Sequence, residues 1–215
     1  AWGFSSGGER MEYREIDMNA YPRRAHFDYF RAMAYPYVGL TAEVDVTNTV
    51  RMAKESGSSF FLTLLYAAGN AANEVPSFRR RIRGDGIVEY ARCLTSHTVM
   101  KPDGTYVYCT SDPSLPLPEF LDKTSRKQAE AISSGALREE VEVESLFFVS
   151  CLPWMSYTAL VQPVPRPADS NPRITWGKYF DRGDRKILPL SVLVNHALVD
   201  GKQIADFYDR LRERV

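Results

Sequence analysis

Long apolar runs are missing from this 215-residue chain. None reaches the roughly 18 residues that a bilayer-spanning helix needs, and the richest stretch is interrupted by Ser150 and Pro153. An excess of one charge is missing too: 27 Lys and Arg face 27 Asp and Glu, for a formal net charge of zero. That balance gives no basic footprint for nucleic acid. Cysteine is scarce. Cys93, Cys109 and Cys151 are odd in number and show no CxxC spacing, which argues against a disulfide framework or a zinc site and for free thiols in a reducing cytoplasm. Repeats and low-complexity tracts are absent, and Gly84-x-Gly86 is too short to read as a phosphate loop. Nothing indicates a metal, nucleotide hydrolysis or a membrane. The first ten residues, AWGFSSGGER, lack the apolar segment of a signal peptide and are expected to be a disordered or trimmed end. Residues 11–215 are then expected to form one domain.

What is present is ordinary globular composition, 44% hydrophobic and 25% charged, with clear periodicity. Residues 21–34 carry Ala25, Tyr29 and Met33 at helical spacing behind Pro22. VGLTAEVDV alternates as a strand, with Thr47 and Asn48 as caps for a helix starting near residue 49. A long apolar helix is expected over 60–74. Two hairpins follow, turning at Gly84-Asp85-Gly86 and at Pro102-Asp103-Gly104, and then an amphipathic helix over 118–134. LFFVSCLPW reads as a buried strand that SYTALVQPV continues, and residues 163–173, with four prolines, as a loop. ITWGKYF and ILPLSVLVNHAL are strands; the second is nearly all apolar and expected to be central and covered on both faces. A final helix, GKQIADFYDRLRERV, is capped by Asp200. The pattern is a mixed α/β domain with a substantial sheet.

Of the three histidines, His26, His97 and His196, His196 has the most informative setting. It falls between the last strand and the last helix, a junction where sites are commonly built, and imidazole accepts protons near neutral pH.

The segment NHALVDG around His196 resembles the His-His-x-x-x-Asp-Gly signature of the chloramphenicol acetyltransferase family, which other CoA- and carrier-protein-dependent acyltransferases share. The likeness extends through GKYFDRGDRKILPLSVLVNHALVDG, FFVSCLPWMSYTAL, YPRRAHFDYF and LTAEVDVT, covering roughly residues 21–211 and loosest over 85–140. It implies a two-layer fold, a mixed sheet covered by helices, and O-acetylation by direct transfer from acetyl-CoA, with chloramphenicol as the expected acceptor and antibiotic inactivation as the result. It further implies a cytoplasmic homotrimer whose active sites lie at subunit interfaces, the histidine coming from one chain and much of the acceptor pocket from the next.

By the same resemblance His196 is the general base, Ser150 donates a hydrogen bond to the tetrahedral oxyanion, and Thr175 holds a water near it. Asp200 pairs with Arg23 to fix the loop that presents the histidine. Losing one member of a buried pair commonly costs about 3–5 kcal/mol. Lys178 meets a CoA phosphate and Tyr179 stacks on adenine. Phe30, Leu160, Gln162 and Val164 line the acceptor pocket.

The chain also departs from the pattern. Asn195 replaces the first histidine of the signature, and Ser59 a lysine that contacts CoA. Phe30 stands in a tyrosine's place, and Leu160 and Gln162 in those of a phenylalanine and a leucine. Phe30 and Gln162 point to one other reading, the same chemistry on a different hydroxylated small molecule; a further alternative, a non-catalytic small-molecule-binding homologue, has the retained His196, Ser150, Thr175, Asp200 and Arg23 against it.

Overall fold

The computed structural model describes the backbone of residues 2–4 and the whole of residues 11–135 and 141–215. In chain order its elements are β1 (Trp2–Phe4), β2 (Glu12–Glu15), α1 (Arg24–Arg31), β3 (Tyr37–Asp45), α2 (Thr47–Ser56), α3 (Phe60–Asn73), β4 (Arg80–Arg83), β5 (Gly86–Tyr90), β6 (Leu94–Met100), β7 (Tyr106–Ser111), α4 (Leu117–Ser134), β8 (Leu146–Leu152), β9 (Arg173–Gly177), β10 (Phe180–Arg182), β11 (Arg185–Asn195) and α5 (Gly201–Arg212). Of the terminal segment 1–10, expected as a disordered end, Ala1 and residues 5–10 lie outside the described residues. Trp2–Phe4 pairs with β2.

Among the described residues a seven-stranded sheet runs β10-β11-β9-β8-β6-β7, with β3 on the other side of β11, and a four-stranded sheet runs β1-β2-β5-β4. The large sheet is mixed: β8 is parallel to β6 and β9, and the other pairings are antiparallel. Alternation along the strands sorts its faces. Leu188, Leu190, Val192 and Val194 of β11, with Ile174, Trp176 and Val149, pack on Leu62, Leu65 and Ala68 of α3 and on Ile204 and Phe207 of α5. The opposite face carries hydroxyls. Thr41, Ser191, Thr175 and Ser150 lie abreast on β3, β11, β9 and β8. β11 is central, as its composition predicts, and its second face is closed by Pro189, Ser191 and Asn195, all buried. The expected α/β class, a mixed sheet covered by helices, is the fold.

Three local expectations are corrected. The first helix covers only Arg24–Arg31 and buries Phe27. Tyr29 and Met33 of the expected face are 65% and 39% exposed. An aromatic-rich helix offers two apolar stripes, and periodicity alone cannot choose between them. Thr47 is the first residue of α2 and does not cap it; Asp45 Oδ1 accepts from the Thr47 amide and hydroxyl instead. Residues 156–164, expected as strand, are irregular. Both ladder positions beside β8 are taken, by β6 and β9, so this segment adds no new pairing beside β8 and instead crosses the face of the sheet.

Candidate active site

His196 follows β11 in the turn that leads into α5, and three contacts hold it. Its Nδ1 is 2.9 Å from Val199 O. A carbonyl only accepts, so Nδ1 carries a proton, and in the neutral ring the lone pair then belongs to Nε2. Its amide donates to Pro36 O at 2.7 Å. Its ring stacks on Phe30, with centroids 3.8 Å apart at 21°. The preceding residue shapes the turn: buried Asn195 donates from Nδ2 to Asp169 O at 2.9 Å and accepts from the Ala197 amide at 3.0 Å.

Asp200 does two jobs. It caps α5, accepting from the Lys202 amide, while Gln203 Oε1 accepts from the Asp200 amide at 2.9 Å, which completes a capping box. Its other oxygen receives Arg23 Nη1. Partial burial works to raise the Asp200 carboxyl, but Arg23 and the helix amides together hold it below the ordinary carboxylate range. The sequence pairing of Arg23 with Asp200 is therefore present as a contact, at the start of the helix that follows the His196 turn.

Ser150 and Thr175 are brought together elsewhere. Their hydroxyls are 2.9 Å apart on neighbouring parallel strands, and Thr175 Oγ1 is 3.4 Å from Gln162 Oε1. The three line a cleft of about 470 Å³ with Thr98, Tyr108 and Phe148. Leu160 lies in a neighbouring groove beside Leu40 and Leu193 that also reaches Gln162. Val164 is among the lining residues of neither. Phe30 stacks on His196 and also lines neither, so the four residues expected to line a single acceptor pocket do not share one cavity of the chain.

Nor does one chain gather His196 with the two hydroxyls. Ser191 lies opposite Thr175, and His196 comes five residues later along and past β11. At about 3.3 Å per residue that separation is about 16 Å.

Lys178 and Tyr179 interrupt the run between β9 and β10. Lys178 is exposed. The Tyr179 ring meets Phe60 edge-on at 5.2 Å, with Lys186 Nζ over its face at 5.9 Å. Ser59, the residue before Phe60, caps α3 by accepting from the Leu62 amide. His26 is exposed on α1. His97 is fully buried beside Phe61, and burial drops its pKa to about 3.

Sequence reasoning missed Asn195 as a brace for the turn, the stack of Phe30 on His196, and the Thr41–Ser191 part of the hydroxyl row. It also missed Gln203, the one with a readable signal, its spacing of three from Asp200.

The model of the family described as chloramphenicol acetyltransferase matches residues 11–212. Chloramphenicol acetyltransferase 3 of Escherichia coli is 28% identical over 206 residues, covering 94% of this chain and 97% of its own. A chloramphenicol acetyltransferase of Clostridium perfringens is 28% identical over 212 residues, with 95% and 99% covered. A solved chloramphenicol acetyltransferase superposes with a TM-score of 0.80 at 25% identity, covering 94% of this chain and 98% of that one. The cubic core of a pyruvate dehydrogenase multienzyme complex, at a TM-score of 0.65, 20% identity, and 88% and 85% covered, shares the fold. With the family match spanning nearly the whole chain, on a fold that superposes on a solved member, the protein belongs to the chloramphenicol acetyltransferase family of acyltransferases.

Proposed function

We propose that this enzyme transfers the acetyl group of acetyl-CoA to a hydroxyl of chloramphenicol, with His196 as general base. The observation that carries the proposal is the fixed tautomer: with Nδ1–H committed to Val199 O, Nε2 is the basic nitrogen. Nε2 takes the proton of the acceptor hydroxyl as its oxygen attacks the thioester carbonyl. Ser150 Oγ donates to the oxyanion of the tetrahedral intermediate, and Thr175 Oγ1, 2.9 Å from it, orders the hydroxyl and a water beside it. Collapse breaks the C–S bond, and the imidazolium returns its proton to the departing CoA sulfur. No acyl-enzyme is formed. Lys178 and Tyr179 hold CoA by its phosphate and adenine, close to the start of α3.

The working form in this proposal is a homotrimer. A base about 16 Å from the oxyanion donors along the sheet calls for a second copy to complete each site. Exposed Tyr29, Tyr35, Leu40 and Val161, together with β3, which among the described residues pairs with β11 alone, give a copy apolar surface and strand edge to cover. Three free thiols support a reducing, cytoplasmic setting. No described helix is long and apolar enough to cross a membrane.

A second reading, the same transfer to another alcohol, is favoured by Gln162, whose amide sits beside Thr175 in the cleft and rewards a polar group on the acceptor. The test is release of CoA thiol from acetyl-CoA with chloramphenicol and with a panel of other alcohols, alongside His196→Ala. Chloramphenicol-dependent release that vanishes in the variant supports the proposal. Faster turnover of another alcohol moves the acceptor, and turnover unchanged in the variant refutes the base. No turnover of any alcohol favours a binding homologue.

A further inference from the structure

The segment between β8 and β9 crosses the hydroxyl face with no ladder to hold it, yet it supplies Leu160 and Gln162 to the cleft walls. It is fastened at two neighbouring points. The Lys178 amide donates to Met155 O at 2.8 Å. Two residues on, the Tyr157 hydroxyl donates to Thr175 O at 2.8 Å and accepts from Ser191 Oγ at 3.2 Å. Ser191 is in turn bonded to Thr41 Oγ1 at 2.7 Å. Tyr157 therefore ties the segment to the row of hydroxyls that ends at Ser150.

The strand below is built for this approach. A Cβ on Gly177 would stand 2.8 Å from Met155 O and 3.0 Å from both the Tyr157 ring and the Pro189 ring of β11, so glycine is what lets the segment lie this close to the sheet. Burial lifts the Tyr157 hydroxyl above its ordinary pKa, which keeps it a donor at physiological pH.

We propose that Tyr157 is a positioning residue: its hydroxyl latches the segment carrying Leu160 and Gln162 onto Thr175 and Ser191, and so sets acceptor affinity. The kinetic part rests on the acetyltransferase reading above; the latch itself does not.

Tyr157→Phe keeps the ring and removes both bonds. Thermolysin cleavage of the folded protein within residues 158–164 should quicken about tenfold, the loss of one net hydrogen bond of about 1.4 kcal/mol. Amide hydrogen exchange in β9 and β11 should be unchanged. The acceptor KM should rise about tenfold, with kcat and the acetyl-CoA KM within about twofold of the parent. Ser191→Ala, which removes one of the two bonds and leaves the Tyr157 ring in place, should move cleavage and acceptor KM in the same direction by a smaller amount, and it carries the test if Tyr157→Phe does not fold. Unchanged cleavage overturns the latch whether or not any alcohol is acetylated. Equal rises in both KM values, or a fall in kcat alone, overturn the role in acceptor affinity. A parent enzyme without turnover sinks the functional reading and leaves the cleavage result to judge the latch.

Discussion

Phe30 lies flat against His196, ring centroid to ring centroid at 3.8 Å. One face of the imidazole is thus fixed by a side chain from α1, while its Nδ1 is fixed by the turn it belongs to. Phe30→Ala opens that face and frees the ring to rotate. Its kcat should fall by about tenfold or more, because a misaimed base loses much of a proton-transfer contribution worth about 10²–10⁴. Phe30→Tyr, which keeps the stack, should stay within a few-fold. Steady-state rates of the two variants decide it.

The separation of His196 from Ser150 leads to a complementation experiment. Ser150→Ala should lower kcat by about 10²–10³, and His196→Ala should abolish turnover. If each site draws its base from one chain and its oxyanion donor from the next, trimers mixed at random from the two variants regain about a quarter of parental activity. A mixture as inactive as its parts would place both groups in one chain.

Asp200→Asn keeps a helix-capping side chain and discards the charge that Arg23 meets. Since both partners are partly exposed, the cost should be about 1–3 kcal/mol, with Asp200→Ala about 1 kcal/mol worse for the lost cap. Activity should fall with stability in both. Because the folded carboxyl is held below its ordinary 3.8, its contribution is complete above that value and is lost as pH falls through the folded pKa. The stability gap between the parent and Asp200→Asn should therefore close in strong acid and stay constant from pH 5 to 8, as urea unfolding would show.

Burial of His97 makes a second, separate pH prediction. Its folded pKa near 3 lies below the ordinary 6.5, so the neutral form is stabilising above 6.5 and the contribution drains away as pH falls toward 3. Relative to His97→Gln, the parent should lose on the order of 2 kcal/mol between pH 7 and pH 5. Parallel stability curves for the two proteins would rule this out.

The elements that could be read from sequence were those that carry their own local cause. α3 shows a long apolar run with Ser59 at its start. The hairpin of β4 and β5 turns on Gly84, which adopts a positive φ. α5 has Asp200 as its cap. The errors fell where the cause is distant. The face of α1 depends on what the core leaves room for, and residues 156–164 are strand-like in composition but find both neighbours of β8 already occupied.

The sequence by itself determined the family, the position of His196 between a strand and a helix, and the charges of Arg23 and Asp200 that meet there. These lie in short motifs whose spacing survives without knowledge of the fold. Only the tertiary structure decided which hydroxyls stand abreast, that Phe30 backs the imidazole, that Tyr157 reaches Thr175 and Ser191, and that His196 and Ser150 lie far apart in one chain. Strand order and register set those distances, and they come from long-range pairing that no local run of residues encodes.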